Sequence, residues 1–328
     1  MKNNIGEKKK FRLVFAGGID WSVEFLELLF KEGFSVIGVL APLDSKKDRG
    51  QQVSFHPLKL EAKKKNIPVL TPASLKDPEF ISEFKKWKAD VVVVVAYGKI
   101  FPPEILEIPS KGFVNFHPSL LPALRGPSPI PSAILEDLSE TGVSIMKLGA
   151  GMDDGPVFDT QKVNITKYET ATTLTQKLLL VGKTMLVKVL EQYLLDNLKP
   201  ISQKKQGISY SKIIRKEEGK INWKKDTAES IERKMRAFEG TIKVFSTLSK
   251  NNNVRRVNFL KSEGVVKVST REKMKIGEYR LYQKNKENFI LIKTKKDFLL
   301  ISKIQVEGKN PVSPEEFLRG YEGGRFGN

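Results

Sequence analysis

The stretch FRLVFAGGIDWSVEFLELLFKEGFSVIGVL, residues Phe11 to Leu40, decides the fold. Phe11 to Phe15 is a short apolar run that ends in Ala16-Gly17-Gly18. Val23, Phe25, Leu26, Leu28, Leu29 and Phe30 then recur with helical spacing, Gly33 closes the helix, and Ser35 to Leu40 reads as a second strand. Strand, helix, strand at this spacing is a βαβ unit, and such units build parallel sheets. The Gly17-Gly18 turn stands where a dinucleotide loop would lie, but the G-x-G-x-x-G spacing is absent. It reads as a tight turn needing small residues, and NAD is not expected.

Working outward, Asp90 to Ala96 (DVVVVVA) is apolar almost throughout, as a central strand covered on both faces would be. Residues 142–148 (GVSIMKL) form another candidate strand, and Thr172 to Leu195 a long amphipathic helix. The segment DNLKPISQKKQG that follows is polar and proline-marked. A chain of 328 residues favours two domains, so we expect a domain over 1–195, a linker over 196–209 and a second domain over 210–328. In the last, TAESIERKMRAF reads as a short helix capped by Thr227 with a basic face. The runs VRRVNFL, YRLYQ, NFILIKT and DFLLISKIQV, separated by turn residues, suggest a small β-barrel or sandwich.

Composition removes several function classes. There is no cysteine, which excludes disulfides, thiolate nucleophiles and Cys-ligated zinc. With His56 and His117 the only histidines, a zinc site would need scattered carboxylates, so no metal is expected. His56, in the polar DRGQQVSFHPLK, reads as an exposed bystander. The basic N-terminal stretch has too short an apolar run for a signal peptide, and no run could span a bilayer. A soluble, cytoplasmic protein with no membrane contact is expected, acting as a monomer. The net charge of +19 is unevenly spread. Residues 1–200 carry 27 Lys and Arg against 23 Asp and Glu, a net of +4, whereas residues 201–328 carry 30 against 15, a net of +15. That asymmetry points to a polyanionic partner for the C-terminal part, or more simply to a solvated basic face.

VNFHPSLLPALRGPSPI, Val114 to Ile130, holds one of the two histidines. On a short strand Phe113–Phe116, Asn115 and His117 project to the same side, just where α/β folds place ligands past a parallel strand's carboxyl end. Five prolines from Pro118 to Pro131 stiffen the connection. Further on, GMDDGPVF supplies Asp153 and Asp154 in a glycine-bounded turn. An amide, an imidazole and a carboxylate suit acyl transfer without a covalent intermediate: amide and imidazolium stabilise an oxyanion, and the carboxylate keeps the imidazole protonated and helps move a proton. The blander alternative is an Asn115 that caps a turn and a His117 satisfied in the core.

Asn115-x-His117-x-Ser119-Leu120-Leu121-Pro122, with a downstream Met152-Asp153-x-Gly155 turn, resembles the signature of the folate-dependent formyltransferases. AYGKIFPPEIL, LRGPSPIPSAIL, ETGVSIMKLGAGMDDGPVF, SYSKIIRKEEGKINW, IERKMRAF and PEEFLRGY resemble, in order, blocks of the branch that formylates methionyl-tRNA. The resemblance implies a Rossmann-like α/β domain with a mostly parallel sheet, followed by a smaller OB-fold-like β-barrel that binds tRNA. It implies 10-formyltetrahydrofolate as formyl donor, initiator methionyl-tRNA as acceptor, and Asn115, His117 and Asp153 as the catalytic trio. Ser119, Leu120, Leu121 and Pro122 would line the folate site, and Arg49 would contact the tRNA acceptor end. On the C-terminal domain, Arg233 and Arg236, three apart on one helix and so sharing a face, and Arg255 with Arg256 are the expected phosphate contacts. Two rivals remain: a formyltransferase for sugar nucleotides or other small amines, against which the +15 speaks, and a silent RNA-binding protein, against which the intact trio speaks. The family's Gly-Thr-Pro-Asp-Phe turn is Gly-Gly-Ile-Asp-Trp here (Gly17 to Trp21). Its basic loop Gly-Arg-Gly-Lys-Lys is Asp48-Arg49-Gly50-Gln51-Gln52, two positive charges fewer. An Asn-Pro-Trp-Pro-Gly block is replaced by Glu239-Gly240-Thr241-Ile242.

Overall fold

The computed structural model describes residues 10–47, 52–250, 253–267 and 273–327. Arg49 lies outside them. The elements run β1 (Arg12–Gly17), α1 (Ser22–Lys31), β2 (Ser35–Leu40), β3 (Ser45–Lys47), β4 (Gln52–Ser54), α2 (Pro57–Lys64), β5 (Val69–Leu70), α3 (Pro78–Lys86), β6 (Val91–Val95), α4 (Pro103–Leu106), β7 (Phe113–His117), α5 (Pro129–Leu135), β8 (Glu140–Lys147), β9 (Val157–Asn164) and α6 (Ala171–Leu194). Then come α7 (Ala228–Ala237), β10 (Val244–Lys250), β11 (Asn253–Val266), β12 (Tyr279–Lys284), β13 (Glu287–Lys293), β14 (Phe298–Val306), α8 (Pro314–Tyr321) and β15 (Arg325–Phe326). Two compact units result: 1–129 with 140–164 and 176–211, and 130–139 with 165–175 and 212–328.

The first unit is built on a sheet of order β5-β2-β1-β6-β7-β8-β9. Its first four pairings are parallel, and β8 and β9 add an antiparallel edge. The order reverses between β1 and β6, and such a switch point leaves a crevice at the strands' carboxyl ends. There Gly18 approaches the neighbouring strand so closely that a Cβ would lie 2.6 Å from the Ala96 carbonyl oxygen and 2.8 Å from that of Tyr97. The close backbone approach is the physical reason for the small-residue turn. All five valines of β6 are buried, as its composition predicts. His56 is no bystander: its Nδ1 accepts the Leu58 N–H at 3.2 Å and caps α2. Such a cap satisfies one of the orphan donors of a helix start, and Pro57 at the first helical position completes the signature.

Residues 196–209, expected as a linker, are bonded into this unit. Val157 and Ile201 exchange backbone bonds of 2.8 Å, and Arg125 pairs in parallel with Tyr210. The strap crosses the proline-rich loop rather than hanging between domains.

The second unit carries an antiparallel sheet of order β12-β13-β14-β11-β10-β15, the barrel-like domain expected. β11 is 14 residues long and its register against β14 slips three times between Phe259 and Gly264. Bulges of this kind bend a strand and raise its twist. Trp223, Phe259, Phe317 and Phe326 pack in its core, and the Trp223 Nε1–H donates to the buried Ser246 hydroxyl at 2.8 Å. Thr227 caps α7 through a reciprocal bond pair with Ser230, as its sequence predicts.

Candidate active site

The site is assembled at the carboxyl end of β7, whose five residues are all buried. Asn115 lies beside Val94 of β6 and Met146 of β8, and His117 beside Ser144. Phe116, pointing the other way, packs on Phe25 of α1 with ring centroids 4.9 Å apart and on Trp21 at 6.0 Å. On that side a Cβ at Gly182 of α6 would run into the Phe116 ring. Packing from behind thus fixes the strand end, while the Asn115 and His117 side chains share the opposite face. Asn115 is buried.

The loop after β7 is shaped by its own hydrogen bonds. Ser119 Oγ donates to the Ala123 carbonyl at 2.6 Å, and the Ala123 N–H returns to Leu120 at 3.0 Å. Ser144 of β8 staples the turn: its hydroxyl accepts the Leu121 N–H at 3.0 Å and donates to the Ser119 carbonyl at 2.7 Å. The Leu121–Pro122 peptide is cis, and Leu124 takes a left-handed φ of 54°. A Cβ at Gly142 would strike both Leu120 and the Gln161 carbonyl, so only glycine leaves Leu120 its seat.

This curl returns two backbone groups to the trio. The Leu124 carbonyl stands 3.1 Å from His117 Nε2. A carbonyl only accepts, so Nε2 carries the hydrogen. The Gly126 N–H donates to Asp153 Oδ2 at 2.7 Å, and that oxygen lies 3.7 Å from His117 Nδ1. Asp153 itself sits at a left-handed φ of 48°. Of the two adjacent aspartates, Asp153 reaches the imidazole, while Asp154 is exposed, its carboxylate lying against Gly149 and Gly151.

The sequence leads us to expect a protonated imidazole, and the burial of the ring opposes that charge. Burial of His117 pushes its pKa below the ordinary 6.5, outweighing the opposing pulls of Asp153 and the Leu124 carbonyl. Burial thus favours the neutral ring, with Nε2–H donated to the Leu124 carbonyl and Nδ1 facing Asp153. Among the described residues no group of metal-ligating side chains occurs, and no helix is long and apolar enough to cross a membrane.

The expected phosphate contacts fare unevenly. Arg233 is ion-paired with Asp137. Arg236 is largely buried, its Nε donating to Glu232 at 2.7 Å and its Nη1 to the Glu169 carbonyl at 2.8 Å. The two share a helix face, and each guanidinium also meets an acceptor distant in sequence, Asp137 for Arg233 and the Glu169 carbonyl for Arg236. Arg256 stacks over Phe245, 3.5 Å from the ring centroid. Arg255 is exposed.

The Arg125 side chain, which sequence reasoning passed over, is buried at 7 % exposure. Its guanidinium donates to Gln203 Oε1 at 2.8 and 3.2 Å, and Gln203 Nε2 donates to the Asp153 and Gly155 carbonyls at 2.7 and 2.8 Å.

Comparison with known proteins agrees with this geometry. Residues 10–190 match the sequence model described as "Formyl transferase", and residues 213–322 match "Formyl transferase, C-terminal domain". The methionyl-tRNA formyltransferase of Buchnera aphidicola subsp. Acyrthosiphon pisum is 36% identical over 310 residues, 94% of this chain and 96% of that protein. That of Myxococcus xanthus is 39% identical over 237 residues, 72% of this chain and 75% of its own. Among solved structures, the N-formyltransferase from Helicobacter canadensis in complex with folinic acid and dTDP-3-aminofucose shares the fold, with a TM-score of 0.63 at 21% identity over 89% of this chain and 98% of that one.

Proposed function

The chain belongs to the formyl transferase family, and from that premise we propose that it transfers a formyl group from 10-formyltetrahydrofolate to the α-amine of initiator methionyl-tRNA. The observation that carries the choice of acceptor is the alignment with a methionyl-tRNA formyltransferase across 94% of this chain. The +15 of residues 201–328, spread over a barrel-like domain, suits the same polyanion.

The buried Asn115 amide and the close Gly18 to Ala96 approach fit a folate bound across the switch point, with Ser119 to Pro122 lining its site. The folate supplies an N-formyl carbon as electrophile. The Asn115 amide donates to the formyl oxygen as negative charge develops on it. His117 Nδ1 takes a proton from the attacking amine, and Asp153, 3.7 Å away, stabilises the imidazolium this creates. The C–N bond to the folate breaks as the proton passes to the departing nitrogen, so atoms and charge balance with no metal and no acyl-enzyme. Holding both reactants together supplies much of the rate. Charged tRNA as acceptor implies work in the cytoplasm, the catalytic apparatus lying in residues 1–195 and the tRNA grip in residues 210–328. The test offers charged initiator tRNA, free methionine and an amino-sugar nucleotide side by side. Formylation of the tRNA alone is expected, and transfer to the sugar nucleotide alone would overturn the assignment.

A further inference from the structure

We propose that Gln203 is a positioning residue for formyl transfer: its side chain, anchored by Arg125, holds the Asp153 hairpin against His117. The proposal rests on the assignment of Asp153 and His117 to the chemistry.

The hairpin needs holding. Residues 149–155 contain Gly149, Gly151 and Gly155, and glycine gives a loop more freedom than any other residue. Asp153 adopts a left-handed backbone, which costs a non-glycine residue free energy unless its surroundings impose it. Among the described residues, the only side-chain hydrogen bonds to the backbone of 149–155 come from Gln203, to the carbonyls of Asp153 and Gly155. One of these receives the peptide of the reactive residue itself.

The brace is specific to an amide. The Nε2 hydrogens fill two carbonyl acceptors while Oε1 accepts from both Nε and Nη2 of Arg125. No single carboxylate or ammonium could donate and accept in this way. Arg125 is fixed in turn, since its backbone N–H donates to the Ser209 carbonyl at 2.9 Å and its carbonyl accepts the Ser211 N–H at 2.7 Å. The neighbouring Gly126 N–H reaches the Asp153 carboxylate. One rigid unit, from Leu124 to Gly126 and from Gln203 to Ser211, therefore sets Asp153 twice, through its peptide and through its carboxylate. Gln203 is far from the trio in sequence and makes no bond to His117, so its effect passes through Asp153.

The experiment uses the chain's scarcity of histidine. With only two histidines, ring signals of the full-length protein resolve by NMR, and His56→Asn assigns the pair. Gln203→Ala removes the brace. Gln203→Glu keeps an acceptor for Arg125, and hence the strap, but cannot donate to the two carbonyls. In both variants the His117 titration midpoint is expected to move to lower pH, because the raising influence of Asp153 is weakened. Single-turnover transfer should fall about 10²-fold, the scale for a reacting group displaced by an ångström, with folate affinity kept. A lowered melting temperature with an unmoved His117 midpoint would overturn the proposal, as would Gln203→Glu titrating and turning over like wild type. Wild type that titrates as described yet formylates no tRNA would refute the assigned acceptor and leave the brace standing.

Discussion

Nδ1 of His117 stands 3.7 Å from Oδ2 of Asp153, and that same carboxylate oxygen accepts the Gly126 N–H at 2.7 Å. The gap is too wide for a hydrogen bond but well within Coulombic reach. Burial lowers the ring's pKa and so works against its charge. The carboxylate's attraction gains its full value only when the ring acquires a proton, which is the behaviour required of a base that must charge during the reaction.

The first consequence is a titration. Burial lowers the His117 pKa and Asp153 raises it, the former prevailing, so the ring should gain its proton only below the ordinary imidazole value of 6.5. Asp153→Asn removes the raising contribution and should move the midpoint lower still. A wild-type midpoint at or above 6.5, followed by NMR, would contradict the balance described.

Leu121→Asp tests the folate loop. Leu121 is half-buried, and its N–H is tied to Ser144. A carboxylate there would be desolvated with no partner beside a flat ring, and folate binding should be lost. Calorimetric titration showing wild-type affinity would remove Ser119 to Pro122 from the folate site.

The basic domain makes two arginines behave differently. Arg255 is exposed, so Arg255→Ala should reduce the log–log salt slope of tRNA binding by roughly one or less while leaving the melting temperature unchanged. Arg236 is committed to Glu232 and to the Glu169 carbonyl. Arg236→Ala should therefore lower the melting temperature with little change in slope, since a buried acceptor and a carboxylate lose their partner. Filter binding across a salt series separates the two, and equal slopes and stabilities would refute the distinction.

What the sequence disclosed followed from local rules. The period shift between Phe11 and Leu40 announced the βαβ unit, and the two-residue offset of Asn115 and His117 placed them on one face. The sequence concealed whatever depends on partners far along the chain. Arg233 and Arg236 share a helix face at any spacing of three, but only the fold brings Asp137 and the Glu169 carbonyl to them. The strap through Gln203 has the composition of a linker, and its bonds to Arg125 and Asp153 span 78 and 50 residues with no periodicity to betray them. The burial of His117 was hidden for the same reason: an aspartate can be read from the sequence, but the burial that opposes it cannot. His56 is readable, for a residue followed by proline at a helix start is a cap signal, although histidine is an uncommon cap.

His117 and Asp153 are expected to carry the chemistry on a folate that binds without them. Single-turnover transfer of labelled formyl from 10-formyltetrahydrofolate to methionyl-tRNA, measured with saturating enzyme for wild type, His117→Ala and Asp153→Asn, tests it most directly. Each variant is expected to be slower by about 10²- to 10⁴-fold, the loss typical of a preorganised proton-transfer or charge-stabilising group, with folate affinity close to wild type. Transfer at the wild-type rate in either variant would contradict the account.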